Sequence, residues 1–177
     1  LRRQNFQKPK RSDLPNLKNY AKLIDEKAQL KTVGYTEGTR GCKHICRHCP
    51  IVPVYNGRFF VVQPEVVIED IKQQVEAGAE HITFGDPDFF NGPGHALKIV
   101  ESFHEEFPNL TYDVTIKVEH LLAHRKELHI LAETGCLFVT TAVEEVDDEV
   151  LCKLEKSHTR SDFIEVVHIT NVAGLTL

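Results

Sequence analysis

The sequence predicts an α/β fold of parallel strands with helices packed outside them, and three observations carry that expectation. Strand-like and helix-like periods alternate from Lys31 onward. Glycine and proline fall between these segments rather than inside them. The clearest strand, residues 110–118, is apolar on one face only: Tyr112, Val114, Ile116 and Val118 share one side, and Thr111, Asp113, Thr115 and Lys117 the other. A parallel sheet covered on both faces needs strands apolar on both sides. A one-sided strand fits a partly open barrel, with helices outside and a wet cavity inside. Chemistry in such barrels sits at the C-terminal ends of the strands.

The elements follow in order. Residues 32–36 form a short strand that runs into a cysteine-rich loop. Pro64 opens a helix whose Val67, Ile71 and Val75 repeat at helical spacing up to Gly78. Residues 81–84 are a second strand, ending in Gly85-Asp86-Pro87. Ala96, Val100, Phe103 and Phe107 mark a helix stopped by Pro108. After the 110–118 strand, Leu121, His124, Leu128 and Leu131 predict one helix ending near Gly135. Residues 136–143 make a fourth strand, 147–154 and 161–172 two further helices, and Leu175 starts a fifth strand.

At 177 residues, 41% hydrophobic and 27% charged, the chain is long enough for one globular domain. No apolar run is long enough to cross a bilayer and no secretory pattern opens the chain, so a cytoplasmic location is the expectation. The absence of methionine, and an apolar run that starts at the last residues, predict a piece of a longer protein. Residues 1–31 carry nine Lys/Arg against three Asp/Glu, and the remainder twelve against twenty-three. We divide the chain accordingly into a basic N-terminal extension, 1–31, and a core domain, 32–177, incomplete at its C-terminus. A basic leader can meet nucleic acid, but a solvated extension is the plainer expectation. The acidic body argues against a nucleic-acid groove.

Five cysteines are present, and Cys42, Cys46 and Cys49 lie within eight residues in a C-x3-C-x2-C spacing. An odd, clustered set fits a metal site better than a disulfide framework. Thiolates are the ligands of iron–sulfur clusters, and three of them on a four-iron cube leave one iron open. Cys136 begins a strand and Cys152 lies in a helix, so neither is placed as a fourth ligand. Zinc held by the three cysteines with His44 or His48 is the alternative, although zinc sites come as paired knuckles and no second pair exists. Free thiols are the third reading.

This loop, C-x3-C-x-aromatic-C after the first strand of an α/β barrel, resembles the signature of the radical S-adenosylmethionine superfamily, from about Thr32 to the end of the chain. The resemblance implies a partial (β/α)6-type barrel, truncated after about four and a half units. It implies a [4Fe-4S] cluster on Cys42, Cys46 and Cys49 whose fourth iron is chelated by S-adenosylmethionine. Reductive cleavage of that cofactor would give a 5′-deoxyadenosyl radical that takes hydrogen from a substrate the sequence does not identify. A low-potential electron donor of the flavodoxin or ferredoxin type would supply the electron. His48 stands where the family has Tyr or Phe beside adenine.

Gly85-Asp86-Pro87 stands where the family commonly has Gly-Gly-Glu-Pro around the methionine ammonium; a plain turn is the alternative. Glu144 is matched to the ribose contact, or is a solvated acid before a helix. Arg160 and Lys117 are matched to a carboxylate, and His120 to a proton donor or substrate contact; surface or capping roles are the alternatives. Phe89 and Phe90 are expected as exposed aromatics that cover a cofactor, or as helix packing. The segments 44–62 and 81–91 also resemble a smaller group named for a cysteine- or selenocysteine-bearing C-terminal tail. Two other functions stand beside the enzyme: an iron–sulfur electron-transfer or redox-sensing module, and a zinc-stabilised nucleic-acid-binding module. The second requires strongly salt-dependent binding.

Overall fold

The computed structural model describes residues 4–25 and 27–177, so the first three residues of the basic leader and Glu26 lie outside the description. Strands β1 (Lys22–Ile24), β2 (Leu30–Thr36), β3 (Thr39–Gly41) and β4 (Phe59–Val61) come first, with helix α1 (Val52–Tyr55) between the last two. Then follow α2 (Pro64–Glu76), β5 (His81–Phe84), α3 (Pro93–Glu106), β6 (Thr111–Thr115), α4 (Val118–Ala123), α5 (Leu128–Glu133), β7 (Cys136–Thr140), α6 (Asp148–Lys153) and α7 (Arg160–Val172).

The main sheet has the order β1-β2-β5-β6-β7. The last four strands are parallel and β1 is antiparallel to β2. Thr176 continues the series through a parallel bridge to Phe138, the expected next strand. Gly34, Ile82 and Tyr112 share one face, which packs on helices: Gln74 of α2 bonds the backbone of Tyr35, and the Tyr112 hydroxyl donates to the Leu131 carbonyl of α5. The apolar core lies on this side, with Ile71, Ile82, Phe84, Ile99, Phe103, Tyr112 and Leu131 buried. Val33, His81 and Thr111, in register, face the other way, as do Tyr35, Thr83 and Asp113. Helices on the apolar face and polar side chains on the opposite one describe part of a barrel wall.

Helix boundaries follow local chemistry. Pro64 and Pro93 begin α2 and α3. Asp147 caps α6, and Thr159 with Asp162 forms a capping box on α7. Three expectations are corrected. The 110–118 strand pairs only over Thr111–Thr115, because Lys117 becomes the N-cap residue of α4. The helix expected through Leu121–Leu131 is two helices, α4 against α7 and α5 against β7. Phe89 and Phe90 are buried, Phe89 against Phe84 with ring centroids 5.0 Å apart, so they are core residues rather than exposed ones and the packing alternative holds.

The leader lies against the body. Arg11 makes a two-pronged contact to Asp70 at 2.6 and 2.7 Å and donates to the Tyr35 carbonyl. A cavity of about 690 Å³ opens between the leader and β2, lined by Leu14, Leu17, Tyr20, Val33 and Tyr35, and no residue of the cysteine loop reaches it.

Candidate metal centre

β3 and β4 form a two-stranded antiparallel clasp at the base of the loop 42–58. Gly41 closes it with φ +88°, and a side chain there would strike the Arg58 carbonyl and the Tyr55 ring. Asn91 ties the loop to the end of β5: its Nδ2 donates to the Gly41 carbonyl and its Oδ1 accepts from the Lys43 amide. Arg47 ties the other side to α6, through Glu155 at 2.8 Å. Cys42 and Cys46 are buried and Cys49 is half-buried, all three as free thiols. Burial pushes the Cys42 thiol up, partly opposed by a backbone hydrogen bond from His44.

The remaining sequence candidates divide. Lys117 comes to the loop: Nζ lies 2.7 Å from Glu119 Oε1 and 3.9 Å from Cys46 Sγ. His48 comes within 3.1 Å of Glu144, beside the loop and open to solvent. Glu144 itself sits at φ +70°, a left-handed conformation for a residue with a Cβ, and its carboxylate also meets Lys156. Asp86 points away from the loop. Its carboxylate accepts from the Gly38 amide at 2.8 Å and from the Thr39 amide and hydroxyl at 2.6 Å each. Burial pushes it up to about 6 in spite of those donors. Gly85 is needed where it stands because the Tyr35 ring occupies the space of a side chain. Pro87 carries the chain on to Asp88. Arg160 opens α7, fully in solvent, and among the described residues its side chain has no polar partner.

At the centre of the rim, sequence reasoning named His44 and His120 but assigned no role to Asp88 or Glu119. Asp88 is fully buried. Its Oδ2 lies 2.6 Å from His120 Nδ1 and 3.8 Å from His44 Nε2. His44 Nε2 lies 3.3 Å from His120 Nε2, and His44 Nδ1 is 3.1 Å from Glu119. Burial, with Lys117 nearby, pushes His44 down to about 4. Burial works against the charge of Glu119, but hydrogen bonds from Lys117 and Ser157 outweigh it and hold the carboxyl below its usual range. The signal for Asp88 was its place: a carboxylate just past the end of a barrel strand.

This fold, with three thiols over the C-terminal rim of a partial barrel, defines a class. Residues 36–176 match the Radical SAM superfamily, and the chain belongs to that family. It is 24% identical over 141 residues to the hopanoid C-3 methylase of Methylococcus capsulatus, covering 80% of this chain and 27% of that protein. It is 27% identical over 150 residues to a tRNA-2-methylthio-N(6)-dimethylallyladenosine synthase of Desulfitobacterium hafniense, covering 80% and 33%. The chain thus spans a third or less of the length of these relatives. Among solved structures, the radical S-adenosylmethionine methyltransferase TsrM of Kitasatospora setae superposes with a TM-score of 0.69 at 18% identity, over 82% of this chain and 28% of its own. The cobalamin-dependent radical enzyme OxsB gives 0.71 at 15%, over 88% and 28%. These likenesses establish the partial radical SAM barrel.

Proposed function

We propose that Cys42, Cys46 and Cys49 hold a [4Fe-4S] cluster and that the protein cleaves S-adenosylmethionine reductively to modify a substrate. The carrying observation is the set of three free thiols on one clasped loop above the polar face of the barrel wall. The donor set fits: soft thiolates suit an iron–sulfur cluster, and three of them leave one iron for an outside ligand. TsrM and OxsB are described with a [4Fe-4S] cluster and with S-adenosylmethionine respectively, in the same fold. When bound, the cluster and S-adenosylmethionine supply the radical chemistry.

This chain's residues bind and shield. Buried Cys42 and Cys46 keep the loop's inner side dry. Lys117 sets a cation beside the Cys46 sulfur, which offsets the negative charge of thiolates. His48 and Glu144 are paired at the outer side of the loop, and in this reading they would meet the adenosine half of S-adenosylmethionine. Asp86 acts through the backbone, pinning the turn between β2 and β3, so backbone groups around Gly85 and Pro87 would meet the methionine half. Arg160 would reach a carboxylate only by swinging in from solvent.

Radical SAM enzymes need a reductant and a substrate; a low-potential flavodoxin- or ferredoxin-type donor is the reductant we propose. The core in this reading is residues 32–177, with the basic leader on its outer edge. No described helix is long and apolar enough to cross a membrane. Relatives named for a hopanoid and for a tRNA share this domain, so one fold serves enzymes named for different substrates.

The test is anaerobic reconstitution with iron and sulfide, reduction with dithionite, and addition of S-adenosylmethionine to the full-length protein. 5′-Deoxyadenosine is the expected product, and it should vanish in Cys42→Ala, Cys46→Ala and Cys49→Ala. A protein that holds the cluster yet releases no 5′-deoxyadenosine would overturn the reading. A cluster that survives all three substitutions would overturn the ligand set.

A further inference from the structure

We propose that His44, His120 and Glu119 form a second, mononuclear site for a divalent first-row metal ion at the barrel rim, with Asp88 as the supporting carboxylate behind His120. It goes beyond the cluster reading, because its donors are nitrogen and oxygen rather than thiolate.

The geometry brings three βα segments together. His44 comes from the cysteine loop, Asp88 from the turn after β5, and Glu119 and His120 from the first turn of α4. One ligand atom each from His44, Glu119 and His120 lies within 4.8 Å of the others. The two Nε2 atoms are 3.3 Å apart. Two nitrogens at opposite ends of a tetrahedral edge, each about 2.05 Å from zinc, are separated by about 3.3 Å. The rings are tilted by 55° with centroids only 4.9 Å apart. That is closer than a head-to-head N–H···N bond of the same length would leave them, so the rings meet at an angle rather than end to end.

The second observation is what lies behind His120. Asp88 Oδ2 and His120 Nδ1 are both buried and only 2.6 Å apart, yet neither has a hydrogen bond of acceptable direction. A buried carboxylate oxygen left unpaired so close to an imidazole is costly, even with the other oxygen of Asp88 accepting from the Phe90 and Lys117 amides. An ion on Nε2 resolves the arrangement. It fixes the tautomer with the proton on Nδ1, and a small ring rotation aims that proton at Asp88. Metal-bound histidines almost always give their other N–H to such a group. Glu119 is held by Lys117 at 2.7 Å in the ion-free protein. Since the same ammonium reaches Cys46 Sγ at 3.9 Å, it has a second partner when Glu119 turns to a metal.

Two imidazoles and one carboxylate suit zinc, iron(II) or cobalt(II), and leave positions open for an oxygen or nitrogen donor of a substrate. A substrate that chelates metals, through a carboxylate or a hydroxyl, is therefore the class this rim would orient.

The test separates this site from the cluster. In the C42A/C46A/C49A variant, cobalt(II) is added anaerobically and its visible d–d absorption recorded, with zinc bound after desalting counted by mass spectrometry. The expected result is about one equivalent per chain, with no thiolate-to-cobalt charge-transfer band. H44A and H120A in that background should weaken binding at least tenfold. Asp88→Asn should weaken it about tenfold while keeping the band, and it guards against a histidine variant that fails to fold. No cobalt band in a folded triple-alanine variant, or a band indifferent to both histidines and to Asp88, would overturn the proposal. The iron–sulfur absorption of reconstituted H120A should persist; its loss would mean that His120 serves the cluster instead.

Discussion

Two histidine–carboxylate clusters sit on the polar side of the same barrel wall, and they are built to opposite rules. In the lower one, His81 bonds Asp113 at 2.9 Å and Thr111 at 2.8 Å, and Thr83 donates to Asp113 at 2.6 Å. Both nitrogens of the His81 ring are satisfied. In the upper one, His120 and Asp88 touch without a proper hydrogen bond, and two histidines face each other. A complete network fixes strands in register and holds a fold. An incomplete one is a liability unless something else completes it, and local inconsistency of this kind collects where proteins bind and react.

The contrast can be broken in four ways. The largest effect should come from His81→Leu. It strands Asp113 in a buried position, so urea denaturation should show a loss of about 3 kcal/mol, while cobalt binding at the rim stays unchanged.

Next comes Asp86, which behaves like the lower cluster because three donors satisfy it. Its folded carboxyl titrates at about 6, above the ordinary carboxylate. Between pH 4 and 6 the folded state therefore holds a proton that the unfolded state has lost. By linkage Asp86 lowers stability as pH rises through that window, by about 3 kcal/mol. Its stabilising share is full below pH 4 and gone above pH 6. Asp86→Asn should lose this slope, so that it appears in the difference between the two denaturation profiles, and matching profiles would sink the assignment.

A smaller effect of opposite sign is expected for Asp88→Asn. The amide keeps an oxygen for the Phe90 and Lys117 N–H groups and replaces only the unpaired Oδ2, so stability should stay unchanged or rise by up to about 1 kcal/mol, in the metal-free protein only. A clear loss of stability would place the upper cluster in the same structural class as the lower. The smallest effect should be Glu144→Gly. Relief of the left-handed backbone should add about 0.5 kcal/mol, since the exposed contact to His48 contributes little.

How much of this was legible in the sequence depends on which forces set it. The grouping of Cys42, Cys46 and Cys49 on one loop was legible because cysteine spacing is local. The starts of α2 and α3 were legible because proline marks them. The inward and outward faces of β6 were legible because burial alternates along a strand, and the alternation outlasts the ladder: Ile116 and Val118 are buried beyond its last pair. The break between α4 and α5 was not legible. Apolar spacing runs through it, and only packing, α4 on α7 and α5 on β7, separates them. The fate of Phe89 and Phe90 was misread because a 3₁₀ turn swings them inward. For Asp86 the motif offered a cofactor contact or a plain turn, and the side chain is engaged with Gly38 and Thr39 far back in the chain, a contact that local spacing does not report. The convergence of His44, Asp88, Glu119 and His120 depends on three crossovers meeting, which no spacing rule reports.

The clasp of β3 and β4 has a consequence for how metal enters. A free segment as long as 42–58 would lose chain entropy when its thiols gather, and that loss grows with the logarithm of loop length. Here the clasp, with Asn91 and Arg47 as side ties, has brought the ends together before any iron arrives. Cluster uptake should then resemble the filling of a socket rather than a folding step. The barrel wall would keep its melting transition when the iron is stripped, and the loop alone would register the loss.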